Sequence, residues 1–426
     1  MQIQVREFEK EFDVIVVGGG PAGCAAAVAA ARNGASVLLM EGATALGGMS
    51  TLGLVPRWMA FDDREKPLCK GISKEIINRF KALMGFPADQ WRRLDIKAEP
   101  LKRMYDELME ENGVEVRFQT SVCQVETENG EIRCLLAADK SGLKAYRAHT
   151  YIDCTGDGDV ANYSGVPMEY GDAEHYVQEA SLCFTIADYH KSECTMPISS
   201  GPDDGVWPII LKDPKYSYLA RHFIPIAISE DVIVANAGGM ANVDATDPAQ
   251  LSAAYIEGRR IAEEMLRALK EYQPAAFRDA QIVQTAPLLG VRESRRIVGE
   301  YVLTAADYIA RRSFPDEIGR NSYWMDCHLP DGKNNPCEVN GVARRYEPGE
   351  SHGIPFRCLV PKNVDNLLVA GRCISMDNVV LASVRVMPNC LSTGEAAGTA
   401  AAMCAKADLG VHALDPMAVV EQLKKN

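Results

Sequence analysis

Phe12-Asp13-Val14-Ile15-Val16-Val17-Gly18-Gly19-Gly20-Pro21-Ala22-Gly23 is the stretch whose reading decides the fold of this chain. An apolar strand pattern runs into a glycine turn. A small-residue helix follows, and a second apolar run, Val37-Leu38-Leu39-Met40, ends at Glu41. Gly18 lets the chain turn sharply out of the strand, Gly20 lets the backbone approach a pyrophosphate, and Gly23 with Ala27 lets the helix lie close on the sheet. Pro21 and Ala22 open the helix, whose N-terminus presents unpaired N–H groups and a positive dipole end. Glu41 falls where a carboxylate accepts hydrogen bonds from the ribose of an adenosine. A glycine turn alone could be purely structural. With a strand before it, a helix after it and an acid at this distance, it predicts a dinucleotide-binding βαβ unit.

At 426 residues the chain is long enough for two or three domains with a cofactor buried between them. Its 58 acidic and 45 basic residues leave a formal charge of −13 with no Lys/Arg cluster, so nucleic acid and anionic membrane are not expected partners. The opening segment is charged and lacks the apolar core of a secretory leader, which predicts a cytoplasmic protein. The alanine-rich run from Cys24 to Ala31 reads as a sheet-packing helix and not as a membrane span. Thirteen cysteines are scattered without a C-x-x-C pair. That predicts free thiols packed as small apolar residues, with no metal site.

Residues 1–165 read as the first part of the cofactor domain. Within them, Val114 to Thr120 alternates like a strand, and three strand-like runs follow, separated by turn signals at Asn129-Gly130 and Lys140-Ser141-Gly142. The last run, Tyr151-Ile152-Asp153, enters a second glycine- and acid-rich turn, Cys154-Thr155-Gly156-Asp157-Gly158-Asp159. Residues 166–354 change character and predict an inserted α+β substrate domain. Its one clear helix starts at Asp247 as N-cap with Pro248 at the first helical position and Gln250 completing a capping box. It runs to about Tyr272, with Leu251, Tyr255, Ile261, Met265 and Leu269 available to its buried face. Residues 355–426 return to the first pattern, with the strand Leu367-Leu368-Val369-Ala370, Gly371-Arg372, and a small-residue helix from Met387 to Ala405 that contains Gly394 and Gly398.

These three separated pieces together resemble the FAD-dependent oxidoreductases of the glutathione-reductase-like fold, and among them relatives of the flavin subunit of heterodisulfide reductase. The similarity extends to Gly290 through Tyr301, Asp326-Cys327-His328, Ile354 through Pro361 and Ser383 through Pro388. The resemblance implies an α/β protein: a glutathione-reductase-like, Rossmann-type FAD-binding domain of two or three layers, interrupted by the substrate domain, with FAD held non-covalently. Gly18, Gly20, Gly23 and Glu41 would hold pyrophosphate and ribose, and Gly47, Gly48 and Met49 would pass beside the ribityl chain and flavin ring. Val122 would touch adenine through its backbone. Thr155, Gly156 and Asp157 would close over the cofactor, and Gly371 and Arg372 would border it. The helix from Pro388, with Gly394, would aim its N-terminus at the flavin. No cysteine pair follows Gly48, where Met49-Ser50-Thr51-Leu52-Gly53 stands, and no second strong glycine fingerprint offers a nicotinamide domain.

Flavin chemistry of this type needs a proton-handling group near the ring. His328 is the first choice, against a purely structural histidine, and His352 a weaker one. In a strand, Arg292, Ser294 and Arg296 would share one face, with Glu293 and Arg295 on the other. Arg292 could pair with a substrate carboxylate, Arg295 could make an interface ion pair, and Arg385 could bind substrate or balance charge on the reduced flavin. The expected reaction is hydride transfer between flavin N5 and a small polar substrate such as a sugar, polyol or hydroxy acid. The alternatives are an electron carrier acting with a protein partner and a nicotinamide-dependent reductase of C=C bonds. Oligomeric state has no sequence signal here.

Overall fold

The computed structural model describes residues 5–7, 10–198, 205–220, 222–329, 338–339, 342–343 and 345–425. Its centre is a five-stranded parallel sheet in the spatial order Leu367–Val369, Ala148–Asp153, Phe12–Val17, Val37–Met40, Glu115–Arg117. In register, Ile15 stands between Leu38 and Tyr151, and Tyr151 pairs onward with Leu367. Strands covered on both faces read as continuous apolar runs, and Val14 to Val17 and Val37 to Met40 are buried accordingly.

The helix Pro21–Arg32 is buried from Pro21 through Ala30 because the C-terminal helix Met387–Ala407 lies directly on it. A Cβ on Gly394 would stand 2.0 Å from Ala22 O, and one on Gly398 would stand 2.1 Å from Ala26 O. Only glycine lets the two backbones meet at that distance. The small-residue character of both helices is thus a packing requirement of this crossing.

Ser121–Glu128, Glu131–Asp139 and Gly142–Tyr146 form the antiparallel meander predicted from the turn signals. Asn129 and Gly130 both take positive φ, 54° and 80°, as a two-residue hairpin turn requires. The alternating run after Val114 is not part of that meander. Helix Ala98–Glu111 carries the chain back over the sheet, so Glu115–Arg117 arrives parallel to Val37–Met40 and joins the central sheet as its edge.

A second, antiparallel sheet has the order Phe223–Ala227, Ile233–Ala237, Phe184–Ala187, Gln281–Thr285. Helix Pro248–Tyr272 backs it, with Met265 and Leu269 buried and Leu251, Tyr255 and Ile261 half-buried. Asp247 accepts from Ala249 N at 2.8 Å. Gln250 bonds Asp247 Oδ2 and Asp244 N and leaves the N-cap N–H alone, so the predicted capping box is replaced by an Asp-centred cap. Phe184, Phe223, Trp207 and Leu269 share a core with this sheet, Trp207 stacking on Phe223 at 4.4 Å. Residues 297–354, grouped by composition with the insertion, send Ile297, Leu303, Met325 and Ile354 into the core of the parallel sheet instead.

Most described cysteines are free and buried, as expected. Cys327 departs from that expectation and is disulfide-bonded; linear spacing carries no information about which cysteines the fold brings face to face. Cys337 lies outside the described residues. Among the described residues no helix is long and apolar enough to cross a membrane.

Candidate functional site

A cavity of about 560 Å³ opens along the C-terminal ends of the parallel strands. Val17 and Gly18, Met40 and Glu41, Cys154 and Thr155, and Gly371 and Arg372 stand at or just past four strand ends and line it. Open α/β sheets take ligands at this position, because the loops there diverge and the helix N-termini face inward.

The glycine turn has three different geometries. Gly18 has φ +96°, and a Cβ there would meet Cys154 O at 2.5 Å. A Cβ on Gly23 would lie 1.8 Å from Gly18 O, so this residue closes the turn from inside. Gly20 differs: it lines the cavity, and a Cβ on it would meet no protein atom within 4 Å. The space beyond Gly20 is therefore a cradle at the start of helix Pro21–Arg32, whose first N–H groups have no carbonyl four residues back. Glu41 is anchored beside it. One carboxylate oxygen accepts from Gly19 N at 2.7 Å and the other from Ala43 N at 2.7 Å. An N–H-lined cradle followed by a fixed carboxylate fits the pyrophosphate and ribose of FAD.

Pro21, Ala22, Gly48, Met49, Val122, Gly156 and Asp157 also line this cavity. Gly23, Gly47 and Gly394, expected at the cofactor, do not; they stand behind the wall. Gly47 packs against Thr51 and Tyr105, and Gly394 against Ala22 O. Each permits close backbone packing, which a glycine in a motif signals as readily as ligand contact. Asp157 accepts from Arg372 Nη2 at 2.7 Å and from Ser294 Oγ at 2.5 Å, while Arg372 also bonds Val291 O. Thr155 Oγ1 donates to Asp153 Oδ1 at 2.8 Å, and Asp153 Oδ2 accepts from Ala161 N, tying the acid-rich turn to the sheet. Burial, with Asp153 and Asp157 nearby, pushes the Asp159 carboxyl up to about 6 despite its bond from Arg295.

At the other end of the cavity the two sheets meet. His328, Asp326, Arg292, Arg385, His222 and Tyr323 all line it there. His328 Nε2 stands 3.4 Å from Asp326 Oδ1, and the backbone around it is pinned by Gln178 Oε1 accepting from His328 N and by Glu179 N donating to His328 O. Tyr323 Oη donates to Asp326 Oδ2 at 3.0 Å, and Arg385 Nη2 donates to Asp326 O at 3.0 Å. Burial alone would raise the Asp326 carboxyl; His328, Arg385 and Arg292 overcome it and hold the group well below the ordinary carboxylate range. Burial, then the Arg292 charge, pushes His328 down to about 4 against the opposing pull of Asp326. His222 packs edge-on to His328 at 4.8 Å between ring centroids and is likewise lowered to about 3, chiefly by burial. Both imidazoles are neutral at neutral pH.

Only Arg295–Ile297 is strand here, pairing with Met168–Tyr170, so the face-sharing predicted for Arg292, Ser294 and Arg296 does not hold. Each of these residues turns to its own partner. Arg292, 9% exposed, donates from Nη1 to Glu179 O and Ser181 Oγ. Arg295 pairs with Asp159, and Arg296 with Glu293 at 2.7 Å in the interior. His352 is removed from the site: it is 0% exposed, bonded through Nδ1 to Tyr346 Oη at 2.8 Å, and absent from the cavity wall. Sequence reasoning gave no role to His222, Tyr323 or Asp326. His222 precedes a strand in the inserted region with no motif around it, while the Asp-x-His spacing of Asp326 and His328 was a usable signal.

Among solved structures, the chain is similar to a geranylgeranyl bacteriochlorophyll reductase-like protein from Thermoplasma acidophilum, at 13% identity over 98% of this chain and 83% of that one, with a TM-score of 0.46. It is also similar to p-nitrophenol 4-monooxygenase from Pseudomonas putida, at 11% identity over 99% of this chain and 84% of that one, again with a TM-score of 0.46. A family model described as FAD dependent oxidoreductase matches residues 13–425. The chain belongs to that family of FAD-dependent enzymes.

Proposed function

We propose that this FAD-dependent oxidoreductase oxidises a CH–OH group of a small polar substrate to C=O, the carbon losing its hydrogen with two electrons as a hydride and His328 receiving the hydroxyl proton. The observation that carries this is the Asp326–His328 couple on the wall of the same cavity that holds the Gly20 cradle and Glu41. Bound FAD supplies the two-electron acceptor.

What the chain contributes follows from its own groups. Asp326, ionised and steadied by Tyr323 and Arg385, favours a proton on His328 Nε2 and leaves Nδ1 as the basic nitrogen. Because burial keeps that ring neutral, it is ready to accept a proton over the whole neutral range. Arg292 and Arg385 hold and orient the substrate. Gly18, Gly20, Pro21, Ala22, Glu41, Gly48, Met49, Val122, Thr155, Gly156, Asp157, Gly371 and Arg372 would hold the cofactor non-covalently, with Val386 and Met387 at its ring end. The order of the parallel strands and the adjoining meander support placing the chain with glutathione-reductase-like flavoproteins.

The test is anaerobic bleaching of the purified, FAD-loaded protein by a panel of hydroxy acids, polyols and sugars, with nicotinamides included. Bleaching by a hydroxy compound, lost in His328→Asn with the flavin spectrum intact, is the expected result. Bleaching by nicotinamides alone would sink the proposal in favour of a reductase.

A further inference from the structure

We propose that the His328 end of the cavity contains a subsite for one carboxylate, formed by Arg292 and Arg385, so that the substrate is a monocarboxylic hydroxy acid and not a neutral sugar or polyol. This rests on the hydroxyl-oxidising role of His328 for its chemical context, but it makes a separate claim about binding.

Arg292 and Arg385 stand at this end with the anion Asp326, the carboxylate of Glu179 also acts on Arg292, and both His222 and His328 are neutral. The neighbouring ions on the same wall are paired with one another, Asp157 with Arg372 and Asp159 with Arg295. Glu293 is satisfied by Arg296 at 2.7 Å. A ligand carboxylate is the natural complement of two guanidinium groups on one wall.

Hydrogen bonding points the same way. Arg292 uses Nη1 on Glu179 O and Ser181 Oγ, and among the described residues its Nε and Nη2 have no acceptor. Arg385 uses Nη2 on Asp326 O, and its Nε is buried without a partner. Its distance to Asp326 Oδ2, 3.9 Å, is too long for a fork-to-fork pair, so Asp326 does not consume the guanidinium. Two guanidinium groups with spare donors on one cavity wall can satisfy both oxygens of a carboxylate. Ile224, Ile226 and Leu289 add apolar wall to the same cavity.

Propionate, which has no hydroxyl to oxidise, tests the subsite apart from the reaction. Calorimetric titration of the FAD-loaded protein should show propionate binding at least about tenfold more tightly than propionamide, and more tightly than the dianion succinate. Arg385→Gln should remove that preference for the carboxylate, with flavin content unchanged. Arg292→Lys, which keeps the charge and loses the fork, should weaken it. Equal affinity for propionate and propionamide, or no binding of either, overturns the inference. If propionate binds as expected while no hydroxy compound bleaches the flavin, the subsite stands and the proposed reaction falls. If neutral polyols bleach the flavin and propionate does not bind, the reaction stands and the subsite falls.

Discussion

Replacing Gly20 by alanine should separate cofactor binding from folding, because the added methyl enters open cavity. Gly20 has φ −69° and ψ −176°, which alanine adopts without strain, and no protein atom lies within 4 Å of the new Cβ. The apo protein should therefore keep its stability or gain about 0.4–1 kcal/mol from a less flexible unfolded chain. A pyrophosphate seated on the Gly20 backbone must withdraw by roughly the length of a C–C bond, stretching at least one charge-assisted hydrogen bond worth about 1.5–3 kcal/mol. That corresponds to an FAD Kd raised about 10- to 150-fold. Gly23→Ala is the contrast. Its Cβ would stand 1.8 Å from Gly18 O, so the turn itself must move, costing about 1–3 kcal/mol or more before any ligand is added. The assay is thermal melting of both apo variants beside FAD titration by flavin fluorescence. Wild-type FAD affinity in Gly20→Ala would refute the cradle assignment, and so would an apo Gly20→Ala protein that melts as early as Gly23→Ala.

His328→Asn should lower kcat by about 10²- to 10⁴-fold with little change in FAD affinity, the usual range for a lost general base; an unaltered kcat removes His328 from the mechanism. The base works when neutral, so kcat/KM should stay flat through neutrality and fall only as pH drops toward about 4, with a second fall near pH 10 as Arg292, lowered to about 10 by burial and then by Arg385, loses its charge. A limb near the ordinary imidazole value of about 6.5 would contradict this burial argument. Glu41→Ala should weaken FAD retention, since it removes the proposed ribose acceptor and leaves the Gly19 and Ala43 N–H groups without their 2.7 Å partners; equal FAD occupancy after dialysis counts against the assignment. His352 is held at about 3 by burial first and Arg320 second, against about 6.5 when unfolded, so the unfolded chain binds more protons between these values. Stability complete above about pH 6.5 is thus lost as pH falls toward 3, and His352→Gln should show a shallower decline of Tm over that window.

The cofactor half of this protein was legible locally because its requirements are local. A sharp turn, a close backbone approach and an acid after the second strand involve neighbours in sequence, and Gly18, Gly20 and Glu41 stand where that logic puts them. Glycine as a signal was ambiguous: Gly20 faces open cavity, whereas Gly394 exists to let two helix backbones meet. The alternation after Val114 announced a strand, but its partner was set by the preceding helix, which delivers it to the parallel sheet.

The sequence by itself determined the βαβ unit, since period, turn chemistry and spacing are properties of short segments, and its resemblance to known flavoproteins supplied the family and the cofactor. Only the tertiary structure decided the His328 end of the cavity. It brought His222 from before one strand of the insertion, Arg292 from the segment before another, Asp326 and His328 from a loop, and Arg385 from the edge of the last long helix to one wall. Their useful properties, two neutral imidazoles beside two guanidinium groups with spare donors, arise from burial and mutual electrostatics, which exist only once distant segments are packed together.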